Sequence, residues 1–435
     1  MLSFDRFERS LPALLDDLAA PRLPDYADDL FARTAATRQR PGWTFSERWL
    51  PMSAITRRFA VAPRVPWRLG ALVALLAVAA LVAALVAGSF LDPKPAPYGP
   101  ANNGQIVFVD DAGRIAVGDP TTETSRIVAD VTGGTSPLFS QDGTRIAFLT
   151  NVATGRVNLG VVNADGTNPM TLNAEPIVEP SYVGWSPDGA RILVLERTKR
   201  LLVYDTRQPE EPFVLSGKVE GRIWSVGHGY NFRSTSAFRP PTGNEILFVS
   251  GAGEDELVAT SLDGSTQRTI FDRSSADVEY LAIIGSDWSP DGSQIVMMLE
   301  TSPDILQPFI LNADGSNVRS LSSKLFADPG AGINSPLWSP DGTRVAFQLW
   351  LRHPTGDGQE FNPIIITDVA TGEYHDVGPT LYNGASWHWS PDGTSILEVP
   401  ADGSREILII DAETGTWSTA PWLVEQPIDW QRVAP

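Results

Sequence analysis

The sequence predicts an all-β fold, a seven-bladed β-propeller, preceded by one transmembrane helix and a short helical cytoplasmic segment. Three observations lead there. The pentapeptide WSPDG occurs four times, at Trp185–Gly189, Trp288–Gly292, Trp338–Gly342 and Trp389–Gly393. From Gly104 onward, short apolar runs alternate with clusters of Gly, Asp, Asn and Pro, the pattern of successive strands and turns. A single uncharged run of 22 residues, Leu69–Phe90, stands apart from both.

The first segment, residues 1–68, carries 11 arginines against 8 acids, a charge of +3. Phe4, Phe7, Leu11, Leu14, Leu15 and Leu18 fall on one helical stripe, and beyond Pro21 and Pro24 a second is formed by Tyr26, Ala27, Leu30, Phe31 and Thr34. A third helix is expected over SERWLPMSAITRRF, leading into the apolar run. So short a segment has too little core to fold alone, so its stripes call for a partner. Asp16, Asp17, Asp28 and Asp29 make an anionic lipid surface a poor one.

Leu69–Phe90 spans roughly 33 Å as a helix, against a hydrocarbon thickness of about 30 Å. It begins too far into the chain, and is too long, to be the apolar part of a cleaved signal peptide. Arg57, Arg58, Arg64 and Arg68 precede it, while only Lys94 follows closely. Basic flanks stay cytoplasmic, which places the N-terminus inside and the bulk of the chain outside the cytoplasmic (inner) membrane, in the periplasm or beyond. Residues 92–103, with prolines at 93, 95, 97 and 100, read as a semi-rigid spacer.

The remainder, 104–435, holds the repeat. Aligned on the aromatic that opens each pentapeptide or its looser relative, positions 139, 185, 238, 288, 338 and 389 are separated by 46, 53, 50, 50 and 51 residues. Each is followed by a β run: RIAFL, RILVL, EILFV, QIVMM, RVAFQ and SILEV. Four antiparallel strands at this period make a propeller blade, whose two apolar faces are buried only by stacking on neighbours. Ser-Pro-Asp-Gly suits a type I turn followed by a left-handed glycine, so the repeated aspartates are turn formers, one per blade, and too dispersed to share a metal ion. Asp165 and Asp314, in the two NADG stretches, are read in the same way.

WSPDG, the IAF-like strand behind it and the turns Asn163-Ala164-Asp165-Gly166 and Asn312-Ala313-Asp314-Gly315 together resemble the TolB-like β-propeller family of bacterial envelope proteins. The resemblance runs from about Gly104 to Pro435 and implies a propeller that binds proteins in the periplasm. Related propellers precede the hydrolase domain of prolyl-oligopeptidase-type enzymes; no residues follow the last expected strand here, so that domain is expected to be absent. The family's namesake resembles a six-bladed version, whereas seven blades are expected in this chain. QIVFV at 105–109 has no preceding aromatic-ending strand and PIDW, ending at Trp430, has no successor, so the two are expected to close the first blade together.

Composition narrows the function. The chain has 435 residues and no cysteine, which excludes disulfides and thiolate chemistry. Beyond residue 68, 22 basic residues face 44 acidic ones, a charge of −22 that argues against nucleic acid as a partner. The histidines are only His228, His353, His375 and His388, without metal-binding spacing, and no nucleophile elbow, phosphate loop or dinucleotide fingerprint occurs. No cofactor, metal or catalytic residue is expected. Two insertions mix aromatics with arginine, the composition of contact hot spots. They are Lys218–Phe238, with Arg222, Trp224, His228, Tyr230, Phe232 and Arg233, and Leu349–Pro363, with Trp350, Arg352 and His353.

The expected function is therefore a membrane-anchored, non-enzymatic module that binds a protein, peptide or glycan outside the cytoplasm. One alternative couples it to a cytoplasmic regulator such as a sigma factor, because the layout weakly resembles membrane-bound anti-sigma factors. The other is a hydrolase or lyase using carboxylates of the central channel, which a cluster of ionisable groups at one channel mouth would favour.

Overall fold

The computed structural model describes residues 96, 98–208, 212–219, 223, 225–226, 237–274, 280–302, 305–321, 331–351, 362–381, 386–399 and 405–434. The apolar run Leu69–Phe90 and the helical stripes of residues 1–67 lie outside them. The chain divides into two compact units, Met1–Leu91 and Asp92–Pro435, and every described residue belongs to the second. Among the described residues, no helix is long and apolar enough to cross a membrane.

Seven antiparallel sheets follow one another along the chain. In six of them the innermost strand comes first in sequence: Gly134–Phe139, Pro180–Trp185, Ser225–Val226, Ala282–Trp288, Ala331–Trp338 and Ser386–Trp389 open blades 2 to 7. Blade 1 takes its innermost strand, Glu425–Val433, from the far end of the chain. This strand pairs with Asn102–Val109, with Ile106 opposite Trp430 and Asn102 opposite Val433. The expected closure through PIDW is thus observed, and it leaves the first blade with no open inner edge.

The second strand of each blade is apolar on both faces because both are covered. Arg191–Glu196 shows this, with Ile192 to Glu196 all buried. Seven apolar clusters of described residues fill the seams, each drawn mainly from two adjacent blades. Burial between blades, rather than within a blade, is what holds the ring.

The pentapeptide forms the turn its residues demand. Gly189 N–H donates to Ser186 O at 2.9 Å, Ser186 Oγ donates to Asp188 Oδ1 at 2.6 Å, and Asp188 Oδ1 accepts from Ala190 N–H at 3.0 Å. Burial pushes the Asp188 carboxyl up, but the hydrogen bonds from Ser186 and Ala190 outweigh it and hold the group below the usual carboxylate range. The serine-to-aspartate bond repeats at Ser289–Asp291, Ser339–Asp341 and Ser390–Asp392. Asp165 and Asp314 likewise accept from the backbone two residues ahead, as turn formers do.

Stacking adds a requirement that no single turn reveals. A Cβ at Gly292, whose φ is +68°, would lie 2.1 Å from the carbonyl oxygen of Pro240 in the preceding blade. At Gly393 the φ is +73°, but the nearest atom is Pro340 Cδ at 3.4 Å. Each turn thus abuts the turn of the blade before it, and the tightness of that contact varies around the ring.

In blade 4 the described residues meet the second strand at two places. Ser225 and Val226 pair with Val249 and Phe248, while Phe238 bridges Ile246, flanked by Leu247 N–H donating to Ala237 O at 2.9 Å and Arg239 N–H donating to Glu245 O at 2.8 Å.

Two polar residues interrupt the seam between blades 6 and 7. Gln348 occupies the position held elsewhere by Leu149, Leu195, Val249 and Met298, and Glu398 the position of Phe148, Val194, Phe248, Met297 and Phe347. Register puts Gln348 opposite Ile364 and Glu398 opposite Trp387 and Leu408, all members of this seam's cluster. Glu398 is 1% exposed and Gln348 4%. Gln348 Nε2 and Glu398 Oε1 find no hydrogen-bond partner among the described residues. Burial alone pushes the Glu398 carboxyl up to about 8.

Candidate functional site

The residue before each seam aromatic belongs to the innermost strand, next to the central channel. Going round the ring from blade 2, these residues are Leu138, Gly184, Ala237, Asp287, Leu337, His388 and Asp429. Apolar or small side chains occupy four of the positions, and ionisable ones occupy blades 5, 7 and 1. A cavity of about 110 Å³ lies at the turn end of the channel, and Leu138, Leu337, His388 and Asp429 all line it. Its wall is largely aromatic: Phe139, Trp185, Trp288, Trp338, Trp389 and Trp430 contribute, together with Pro290, Pro340 and Pro391.

The indoles are fixed by the seams. Trp185 Nε1 donates to Leu138 O at 3.1 Å, Trp338 Nε1 to Asp287 O at 3.4 Å, and Trp389 Nε1 to Leu337 O at 3.2 Å. In each case the acceptor is the residue before the aromatic of the preceding blade. Trp430 Nε1 instead donates to Gly104 O, at 3.0 Å. Trp288 Nε1 has no acceptor among the described residues. Guanidinium groups stack on three of these rings from the neighbouring blade: Arg145 on Trp185, Arg239 on Trp288 and Arg344 on Trp389, at 5.1 to 5.2 Å. Arg344 Nη2 also donates to Gly393 O at 2.9 Å.

The polar groups are held as firmly. Asp429 Oδ2 accepts from Phe139 N–H at 2.7 Å, across the seam into blade 2, and Oδ1 accepts from Trp430 N–H at 2.8 Å. His388 is 6% exposed, and Asp287, deeper in its blade, is fully buried. Burial, reinforced by the Asp287 carboxylate, pushes the Tyr182 phenol far up, and its oxygen accepts from Ala237 N–H at 3.2 Å. Arg432 closes the wall between blades 1 and 2. Its Nη2 donates to the carbonyls of Ala96, at 3.1 Å, and Gly99, at 2.5 Å, while its Nε has no acceptor among the described residues. Burial lowers its pKa to about 10 against the opposing pull of Tyr98 and Asp429. An imidazole, a carboxylate and a guanidinium in a mostly apolar cavity can move a proton and balance a developing negative charge.

Arg222, Trp224, His228, Tyr230, Phe232, Arg233, Arg352 and His353 fall outside the described residues, and Trp350 is placed only by its backbone, opposite Gly332. His375 is a packed histidine whose Nε2 lies 3.0 Å from Ala412 O. His388, Asp429 and Arg432 escaped the motif search because they carry no short-range signature. For His388 and Asp429 the signal was columnar, a polar residue just before a seam aromatic where other blades have Leu, Gly or Ala; Arg432, two residues after Trp430, had none. Among the described residues, no three His, Asp or Glu side chains are grouped to hold a metal ion.

No family model matches the chain. It is 28% identical over 224 residues to an uncharacterized protein of Agrobacterium fabrum, covering 48% of this chain and 67% of the relative. It is 26% identical over 204 residues to the uncharacterized peptidase YuxL of Bacillus subtilis, covering 42% of this chain but only 28% of that one. Among solved structures it is similar to prolyl endopeptidases, with a TM-score of 0.51, 12% identity and coverage of 77% of this chain and 50% of theirs. It is also similar to oligogalacturonate lyase in complex with manganese, with a TM-score of 0.49, 14% identity and coverage of 75% and 85%. TolB from Acinetobacter baumannii gives a TM-score of 0.43 and 16% identity, with coverage of 77% and 81%. At such identities the structures speak for the fold alone. The fold is a seven-bladed β-propeller, and it is similar to TolB structures.

The expectation of a non-catalytic binding module is corrected at this point. A relative in sequence is named a peptidase, and prolyl endopeptidases carry the same type of ring. The physical reason is that local motifs carry no trace of ionisable groups that the ring gathers one blade at a time.

Proposed function

We propose that this chain is a hydrolase or lyase whose reaction centre is the cavity at the turn end of the channel. A single observation supports this most directly: His388, Asp429 and Arg432, from blades 7 and 1, line one cavity walled by indoles. His388 is suited to take or give the proton, Asp429 to stabilise the imidazolium that results, and Arg432 to receive an anionic group of the substrate. The aromatic wall limits water and strengthens these interactions. The peptidase name of one relative and the lyase name of one structural neighbour define the substrates to try first.

The test is turnover by the purified full chain on a panel of peptides and of oligogalacturonides. His388→Ala and Asp429→Asn are each expected to lower kcat by about 10²- to 10⁴-fold, the usual contribution of a positioned acid or base. Absence of turnover across both panels, or turnover indifferent to both substitutions, would overturn the reading.

The proposal includes anchorage. Leu69–Phe90 spans the cytoplasmic membrane and the flanking arginines keep residues 1–68 inside, so the propeller works outside. A reporter fused after Pro435 is expected to be active only outside the cytoplasm, and activity inside would refute this topology.

A further inference from the structure

The spacer does not simply lead up to the propeller. Tyr98 and Gly99 line the cavity itself. On their other side, Ala96 and Pro100 line a second cavity together with Pro241, Pro290 and Pro340, in the turns of blades 4, 5 and 6. The chain then reaches blade 7, where Ala101 N–H donates to Pro391 O at 2.9 Å and Asn103 exchanges two hydrogen bonds with Asp392. These residues therefore cross the channel mouth from one side of the ring to the other.

Their grip on Arg432 is unusual in its chemistry. A guanidinium removed from water is best compensated by an anion, bound through two parallel N–H groups. Arg432 instead donates to two neutral carbonyls, those of Ala96 and Gly99, and leaves Nε without an acceptor among the described residues. The two carbonyl oxygens thus occupy the place of an anionic group while providing none of its charge.

We propose that Ala96 and Tyr98–Pro100 form an autoinhibitory strap, and that the group they exclude from Arg432 is a carboxylate of the substrate. Resting on the catalytic reading above, this assigns the site both a substrate class and a means of regulation. Displacing the strap exposes the guanidinium beside His388 and Asp429, and a carboxylate arriving there gains the charge-assisted bonds the strap lacks.

Gly99 offers a way to loosen the strap from within, leaving His388, Asp429 and Arg432 unchanged. Its φ is +86°, and an added Cβ would meet nothing within 4 Å, so a β-branched side chain strains only the backbone. Binding to the full chain is read from tryptophan fluorescence, with two carboxylate probes, digalacturonate and N-acetyl-dialanine, and the methyl ester of each. Gly99→Val is expected to tighten one acid about tenfold, equivalent to the loss of a modest hydrogen-bonded contact, and to leave its ester unchanged. Which acid responds tells a uronide from a peptide carboxylate. Arg432→Gln in the Gly99→Val background is expected to abolish the gain, and Arg432→Lys, which keeps the charge but not the fork, to retain part of it in a protein that stays folded. The proposal is overturned if Gly99→Val tightens neither acid, if the esters bind as well as the acids, or if Arg432→Lys binds as tightly as arginine. Binding that behaves as expected without turnover would count against catalysis alone, and turnover with no response to Gly99→Val against the strap alone.

Discussion

The indole N–H of Trp389, on the inner strand of blade 7, donates to the backbone carbonyl of Leu337, on the inner strand of blade 6, at 3.2 Å. The same ring carries the Arg344 guanidinium on its face, 5.2 Å from the centroid. A residue recognisable in sequence as part of a hairpin therefore joins two hairpins to each other.

Trp389 and Trp288 should respond differently to loss of the N–H. Trp389→Phe is expected to lower stability by roughly 1–2 kcal/mol, through a lost hydrogen bond to a carbonyl that stays buried. In Trp288→Phe no bond to a described residue is lost, so that substitution should cost less than Trp389→Phe, through the lost ring volume and the weakened Arg239 contact alone. Denaturant midpoints of the two variants decide the matter, and equal losses would contradict it.

Gly292 and Gly393 make a second pair. Gly292→Ala combines a left-handed backbone with a Cβ driven into Pro240 O, and Gly393→Ala has only the backbone strain. The second should cost about 1 kcal/mol, as Cβ in that region does, and the first clearly more. Thermal melting of both variants is the check, with the order of the two as the expected outcome.

Glu398 gives the pH prediction. Its folded value is about 8 against an ordinary 4.5, so between those limits the folded protein holds a proton that the unfolded chain releases. Its contribution to stability is thus fully present below pH 4.5 and is lost as pH rises through 8. Glu398→Met restores the apolar character this position has in the other blades and removes the titration. The variant should gain stability over the parent at pH 9 by an upper bound of roughly 3–5 kcal/mol, and far less at pH 4. Denaturant titrations at the two pH values measure this, and a gain independent of pH would contradict it.

Ring closure is tested by removing residues 425–435. This deletes the innermost strand of blade 1 and with it Trp430, which is 6% exposed. Loss of a buried tryptophan alone costs about 3–5 kcal/mol, and the exposed strand edge invites association. The shortened protein should melt far below the intact chain and aggregate. Unchanged melting would mean that the ring does not depend on its last strand.

What the sequence by itself determined is what lies within a few residues of each turn. Ser, Pro, Asp and Gly in that order specify the hairpin through one serine-to-aspartate bond and one positive φ, and their spacing counts the blades. Even the closure was legible, because QIVFV and PIDW each lacked a neighbour. The tertiary structure decided what comes from different blades. Asp287, His388 and Asp429 are unremarkable members of three strands until ring closure turns the residue before each seam aromatic toward a common axis. Gln348 and Glu398 read as ordinary polar positions until stacking buries them in one seam. The spacer's prolines announced stiffness, but not that Ala96 and Gly99 would place their carbonyls on Arg432, more than 330 residues away in sequence. Turn chemistry is local and leaves its mark on five consecutive letters. A site on the axis of a ring is assembled from residues whose separation in sequence carries no record of their meeting.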